Sequence, residues 1–323
     1  MFCIALGLHY ICSMDSEFRL SILIPTFNQV CFSLVGQLHE QASATTGLEY
    51  EILVADDGST DASTITANKE IDSLPHCRYI IRQENAGRSA IRNFLARQAS
   101  YPLLLFIDSH MSVIRSDYLR KYLLHAHRPL VYGGYAISPG THAEGNLRYA
   151  YEQSCIAHQR QEQRARSPYS NFHTSNFLVS REVMLAHPLD QRFKHYGYED
   201  VLFGKRLREA GIPITHIDNP VGFDHFESNA RFMEKTEEGL RTLHQFREEL
   251  TGYSRLLALV GKLRRWHLGW AVRGFQQLMG GTLRSHLMSN HPSLLCFKAY
   301  RLGYFMSIPD TEANQQNGMK TAE

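Results

Sequence analysis

The amino-acid sequence predicts an α/β fold, with a mostly parallel central sheet flanked by helices and a C-terminal helical extension. Three observations carry this. From Arg19 onward, short and nearly continuous apolar runs alternate with segments of helical period, the pattern of parallel strands buried on both faces. Polar and acidic residues gather just after those runs, where sheets of this kind bind ligands outside the carboxyl ends of their strands. Beyond residue 254 the strand pattern stops and a basic, helical pattern takes over.

The elements follow in order. LSILIPT (20–26) reads as a buried first strand and 29–44 as a helix. EYEILVADDGSTD (49–61) is a second strand running into a turn, with a helix after Asp61. RYIIRQ (78–83) is a third strand, followed by a helix over 87–99, and PLLLFIDS (102–109) is a fourth, followed by a helix over 115–127. LVYGGYAI (130–137) reads as one strand, 138–172 as a polar, irregular wall, and HTSNFLVSR (173–181) as another strand. YEDVLFGKRLREAG (198–211) has helical period up to Gly211, and PITHID (213–218) is expected to be the last strand. Residues 255–275 read as one amphipathic helix with apolar residues at 256, 259, 260, 263, 266 and 270. Arg255, Lys262 and Arg273 fall near one line of it, with Arg265 beside them. The domains expected are a leader over 1–16, a body over 17–228, the basic extension over 229–310 and a disordered tail over 311–323.

Composition narrows the class. The 323 residues are 43% hydrophobic and 20% charged, enough to bury a sizeable core, which excludes collagen-like, disordered and disulfide-scaffold proteins. The formal net charge of +2 argues against a nucleic-acid partner, but it conceals an asymmetry. Residues 255–303 hold eight Lys/Arg and no acidic residue, whereas 1–254 hold 25 Lys/Arg against 29 Asp/Glu. A cationic line in the same stretch as Trp266, Trp270 and Phe275 is the pattern of an interfacial helix, so an anionic membrane surface is an expected partner. The six cysteines (Cys3, Cys12, Cys31, Cys77, Cys155, Cys296) show no metal-type spacing, which suits free thiols in a reducing compartment. The apolar stretch MFCIALGLHYIC lacks a basic n-region and a small-residue cleavage site, and Met14 competes with Met1 as the native start. No run of 18 apolar residues occurs. The expected location is cytoplasmic, with peripheral attachment to the inner face of the plasma membrane.

The chemistry-bearing motifs stand at the strand ends: PTFN (25–28), ADDGSTD (55–61) and LLFIDSH (104–110), with NAGRSAIRN (85–93) and YGYEDVLFGKRLREAG (196–211) further on. Together, over roughly residues 17–228, this arrangement resembles the family 2 glycosyltransferases, which have the nucleotide-sugar-binding GT-A fold. The resemblance implies transfer of a hexosyl or N-acetylhexosaminyl group from a nucleotide-diphosphate donor, expected to be a UDP-sugar. The acceptor would be a saccharide or a lipid-linked molecule in surface polysaccharide or glycolipid synthesis, and inversion at the anomeric carbon follows from the family.

Site residues follow from the resemblance position by position. Asp56 and Asp57 stand where the family's second-strand carboxylates meet the nucleoside, and Pro25, Thr26 and Asn28 would line the base. Arg88 and Arg92, at the start of the third helix, lie near the expected nucleotide. The family's Asp-x-Asp becomes Asp108-Ser109-His110 here, a D-S-H triplet like that of polypeptide N-acetylgalactosaminyltransferases, which are retaining enzymes. There the His ligates metal and a second His completes the set, a place His225 would take. Asp108, His110 and His225 would then hold one divalent cation, with imidazole favouring Mn2+ and Mg2+ the alternative. Glu199-Asp200 matches the family's Glu-Asp pair, with Asp200 as catalytic base at a helix start whose dipole favours the anion. His173 and Asn176 fall at the edge of the irregular wall, without an assigned role. The competing reading is a catalytically inactive sugar-nucleotide-binding or scaffold protein, favoured by the altered triplet and opposed by the retained Glu-Asp pair. A His-rich metallohydrolase would need H-x-x-x-H or H-E-x-x-H, and neither occurs.

Overall fold

The structure is a computed structural model describing residues 18–310. The strands are β1 (Phe18–Thr26), β2 (Leu48–Asp56), β3 (Cys77–Ile81), β4 (Leu103–Ile107), β5 (Met111–Ser112), β6 (Leu130–Tyr132), β7 (Tyr135–Ile137), β8 (Asn176–Ser180), β9 (Ile214–His216) and β10 (Val221–Phe223). The helices are α1 (Phe32–Ser43), α2 (Ala62–Lys69), α3 (Arg88–Gln98), α4 (Tyr118–Leu123), α5 (Leu147–Cys155), α6 (Gln161–Ala165), α7 (Arg181–Ala186), α8 (Glu199–Glu209), α9 (Asn229–Gln245), α10 (Arg255–Arg265), α11 (Gly269–Leu287) and α12 (Leu294–Ser307). The expected leader, the tail, Met14, Cys3 and Cys12 lie outside the described residues.

Seven strands form the main sheet in the order β3-β2-β1-β4-β8-β6-β9. β1, β2, β3 and β4 are mutually parallel, while β8 runs antiparallel to both β4 and β6. Side chains alternate between the two faces of each strand. Leu20, Ile22, Ile52, Val54 and Leu105 therefore pack one way, onto Leu34, Val35 and Leu38 of α1 and Tyr118 of α4. Leu23, Leu53, Leu104 and Phe106 pack the other way, onto Ile91 and Leu95 of α3 and Phe203 and Leu207 of α8. Burial on both faces accounts for the unbroken apolar runs of β1, β2 and β4.

Several expectations change. LVYGGYAI is two strands, since β7 leaves the main sheet and joins a small sheet β5-β10-β7. The break falls at Gly133-Gly134. A Cβ on Gly133 would collide with the Asn219 carbonyl and the Tyr122 hydroxyl, and Gly134 has φ +87° beneath the Arg164 guanidinium. PITHID is not the last strand; the three-residue β10 follows it. The wall over 138–172 contains α5 and α6, and the helix expected over 115–127 shrinks to α4. The helix expected over 255–275 is two, α10 and α11, broken at a turn where His267 adopts φ +56°.

The C-terminal helices pack on the body. Phe193 stacks on Phe246 with ring centroids 4.0 Å apart, in a cluster that also holds Leu202, Val260 and Phe305. Leu147 joins a second cluster with Phe232, Leu287 and Phe297. Among the described residues Cys31, Cys77, Cys155 and Cys296 are free, and no helix is long and apolar enough to cross a membrane.

Candidate active site

A cleft of about 980 Å3 opens over the carboxyl ends of β1, β2 and β4. Pro25 and Thr26 form its wall at the end of β1, and the Thr26 carbonyl accepts from the Asp57 amide. Asn28, in the left-handed region at φ +50°, lines the cleft but spends its side chain on the next loop. Its Oδ1 accepts from the Thr60 and Asp61 amides and its Nδ2 donates to the Thr60 hydroxyl. Asn28 thus fixes the DGST turn. Asp61 caps α2 by accepting from the Ser63 amide.

The two second-strand carboxylates separate. Asp56 is fully buried and is not part of the cleft wall, contrary to its expected contact with the nucleoside. It accepts from the Ser59 amide at 2.7 Å and from the Tyr79 hydroxyl, and so holds the turn from below. Asp57 does line the cleft, accepting from Arg82 at 2.7 Å and from the Ala86 and Gly87 amides. Burial raises its pKa, and those amides and Arg82 only partly offset the rise. Gly58, at φ +76°, lets the backbone of Glu84 and Asn85 approach: a Cβ there would lie 2.7 Å from the Glu84 carbonyl carbon.

At the end of β4 stand Asp108, Ser109 and His110, all on the cleft. Asp108 is buried and pairs with Arg92, itself almost wholly buried, and with Arg88 at 3.4 Å. Burial alone would raise the Asp108 pKa, but the charges of Arg92 and Arg88 outweigh it and hold the carboxylate below its usual range. His110 lies edge-on to Phe223. Burial, helped by the positive charges of Arg88, Lys235 and Arg148 and opposed by Asp108, pushes its pKa down to about 4. His225 also lines the cleft, on the exposed loop after β10. Even so, among the described residues no three His, Cys, Asp or Glu side chains are grouped as a metal site. Of the expected triad, Asp108 is engaged by Arg92 and Arg88, His110 follows it at the end of β4, and His225 stands on a separate loop lining the same cleft.

The opposite wall is the start of α8. Gly197 and Tyr198 have φ +94° and +69°, and this left-handed turn delivers Glu199 and Asp200 into the cleft. A non-glycine residue in that region costs about 1–3 kcal/mol and recurs at functional sites. Glu199 accepts from Arg88 at 3.1 Å through Oε1, while its buried Oε2 has no partner. Burial raises its pKa, aided by the Asp200 charge and opposed by Arg88. Asp200 accepts from the Val201 amide at 2.8 Å and bonds His173 Nδ1 at 2.8 Å. Burial would raise the Asp200 pKa, but the His173 bond prevails and lowers it; burial would lower that of His173, but the same bond raises it.

His173, left without a role in the sequence reading, is the side chain that meets Asp200. It meets Asp200 because β8 runs antiparallel and returns its preceding loop to the cleft, packed on Tyr132 and Tyr135. A histidine three residues before a strand was the available signal. Asn176, its neighbour in the motif, is instead a buried node that accepts from Tyr118 and Tyr122 and donates to the carbonyls of Gly134 and Asn219.

A mostly parallel sheet, flanked by helices and carrying acidic clusters at its strand ends, is the GT-A fold. A mannosyltransferase from Pyrobaculum calidifontis, solved in complex with GDP-Man and Mn2+, shares this fold: the TM-score is 0.54 at 15% identity, over 94% of this chain and 88% of that one. The family model for Glycosyl transferase family 2 matches residues 21–186, just over half the chain, and the chain belongs to that family. Validoxylamine A glucosyltransferase of Streptomyces hygroscopicus subsp. jinggangensis is 30% identical over 226 residues, covering 61% of this chain and 53% of that protein. Chondroitin synthase of Pasteurella multocida is 25% identical over 250 residues, 65% of this chain and 25% of the synthase. The chain thus spans about half of the first relative and a quarter of the second.

Proposed function

We propose that this chain transfers a sugar from a nucleotide-diphosphate donor to a hydroxyl of a saccharide or lipid-linked acceptor, with inversion at the anomeric carbon. The observation that carries the reading is Arg88. Its one guanidinium reaches Asp108 at the end of β4, at 3.4 Å, and Glu199 at the start of α8, at 3.1 Å. Donor and acceptor sides of the cleft are thereby coupled through a single side chain. A glucosyltransferase and a chondroitin synthase among the relatives, and GDP-Man in the mannosyltransferase, support the same class of donor.

Asp57 is assigned to the nucleoside, accepting from a uracil N–H or a ribose hydroxyl, which favours a UDP-sugar; Pro25 and Thr26 wall the base, with Asn28 holding the turn beside it. Asp200 takes the proton of the acceptor hydroxyl, whose oxygen attacks the anomeric carbon. The bond from that carbon to the diphosphate breaks, its electron pair departs with the nucleoside diphosphate, and Arg88 meets the developing charge. His173 steadies the Asp200 carboxylate through the 2.8 Å bond. Glu199, with Oε2 unpartnered, contacts the acceptor.

The donor set at β4 is chemically fit for a cation, since Asp108 is held ionised and His110 neutral, the states a metal requires. These two residues are assigned as its protein ligands, with His225 the proposed third, and the imidazoles favour Mn2+ over Mg2+. Bound there, the cation would supply Lewis-acid neutralisation of the diphosphate. Titration calorimetry with UDP and GDP, with and without Mn2+, tests the reading. One nucleoside diphosphate should bind, more tightly with Mn2+, and its sugar conjugate should turn over. Failure of every nucleoside diphosphate to bind under either condition would overturn the proposal, and binding without turnover would favour the scaffold reading.

A further inference from the structure

The C-terminal helices leave an uncharged apolar face uncovered, at the Trp266 and Trp270 end of the sequence stripe rather than along α10. On α10, Leu256, Leu257, Val260 and Leu263 turn inward to a cluster with Phe305 and Met306, so most of the apolar side of that helix is covered and Leu259 alone of its leucines is exposed. The exposed apolar surface is the α10–α11 turn and the outer side of α11. Trp266 is 65% exposed, Trp270 72% and Leu278 83%, and Leu268 and Phe275 are exposed beside them. At about 100° per residue, Trp270, Ala271, Gly274, Phe275, Leu278 and Gly281 fall within one arc of roughly 140° that holds no charge. Val272, Leu283 and Leu287 point to the opposite side and supply the packing of α11.

Cations rim this face. Lys262, Arg264 and Arg265 occupy the last turn of α10, just before Trp266, and Arg273 borders the arc on α11. None of the four is ion-paired with a described carboxylate, and residues 255–303 contain no Asp or Glu to pair with them. Exposed aromatic and aliphatic side chains beside unpaired cations are what an anionic lipid surface accommodates: the apolar tips enter the headgroup boundary and the cations meet phosphate. A second copy of the chain is the poorer occupant, because self-association through this face would set like charges together.

We propose that the α10–α11 turn and the outer face of α11 form a docking surface for an anionic lipid bilayer. Trp266, Trp270, Phe275 and Leu278 insert, and Lys262, Arg264, Arg265 and Arg273 bind lipid phosphates. This proposal is independent of the transfer chemistry, since the test reads lipid binding alone.

The chain has two tryptophans, and both lie in the patch, so tryptophan emission, excited at a wavelength where tyrosine does not absorb, reports on it alone. Vesicles of equimolar phosphatidylcholine and phosphatidylglycerol should shift that emission to the blue and carry the protein in flotation. Vesicles of phosphatidylcholine alone should do so weakly, and about 0.5 M salt should release the protein. The double variants Trp270→Ser/Leu278→Ser and Arg264→Gln/Arg265→Gln should each lower vesicle affinity at least about tenfold with little change in melting temperature. Absence of flotation and shift, equal binding to neutral vesicles, or a lipid-free blue shift accompanied by doubled mass in light scattering would each overturn the proposal. If a variant fails to fold, brominated lipid replaces it: quenching of wild-type emission supports insertion, and flotation without quenching refutes it.

Discussion

Replacing His173 by Gln isolates the contact that sets the charge state of the proposed base. His173 Nδ1 lies 2.8 Å from Asp200 Oδ2, with the imidazole 38% and the carboxylate 18% exposed. A hydrogen bond to a charged group contributes about 1.5–3 kcal/mol when well buried, and this exposure screens it to roughly 1 kcal/mol. Because the folded pKa of His173 is raised, its stabilisation is fully present below the ordinary histidine value of about 6.5 and fades as pH rises through the folded value. Because that of Asp200 is lowered, its share is present above the ordinary carboxylate value of about 3.9 and fades as pH falls through the folded value. Gln keeps a neutral donor and removes the titration. The wild type should therefore melt about 2 °C above His173→Gln between about pH 4.5 and 6.5, with the gap closing as pH rises through the raised folded value of His173. The proton affinity of Asp200 should also rise in the variant, moving the acid limb of kcat/KM to higher pH. Thermal melts across that range check the stability effect. A gap that is constant with pH, or largest in alkali, would refute the reasoning.

Three further outcomes are expected. Gly58→Ala forces a Cβ to 2.7 Å from the Glu84 carbonyl carbon at φ +76°, and urea denaturation should show a loss of about 1–3 kcal/mol together with weaker nucleotide binding. Arg92→Met leaves buried Asp108 with only Arg88 at 3.4 Å, so chemical denaturation should report a loss of about 3 kcal/mol. His110→Ala should abolish the Mn2+ enhancement of nucleoside diphosphate binding in calorimetry while metal-free binding persists, and His225→Ala should weaken it.

Much of the framework was legible because burial on both faces leaves a plain trace. The apolar runs of β1, β2 and β4 and the acidic residues behind them marked the sheet and the cleft. Strand direction leaves no such trace: β8 is as apolar as the parallel strands of the sheet yet runs antiparallel to both its neighbours, and that reversal brings His173 to Asp200. Short elements escaped as well, since three residues of β10 carry too little periodicity, and the Gly133–Gly134 break depends on the distant Arg164. Adjacent residues with the same side chain also took different tasks. Asp57 faces the cleft, whereas Asp56 lies beneath it, bound by Tyr79 from a neighbouring strand. The stripe expected over 255–275 divides: Leu256, Val260 and Leu263 of α10 face the core, whereas Leu259, Trp266 and Trp270 are exposed.

The central claim is that Asp200 deprotonates the acceptor. Its bonds run to His173 and to the Val201 amide, outside the assigned donor contacts, so Asp200→Asn should leave donor affinity intact. Single-turnover transfer with saturating donor is the direct measurement. A fall of about 10^2–10^4-fold in rate, with donor affinity within about twofold of wild type, is the predicted result. Near-normal transfer by a variant that still binds donor would contradict the account.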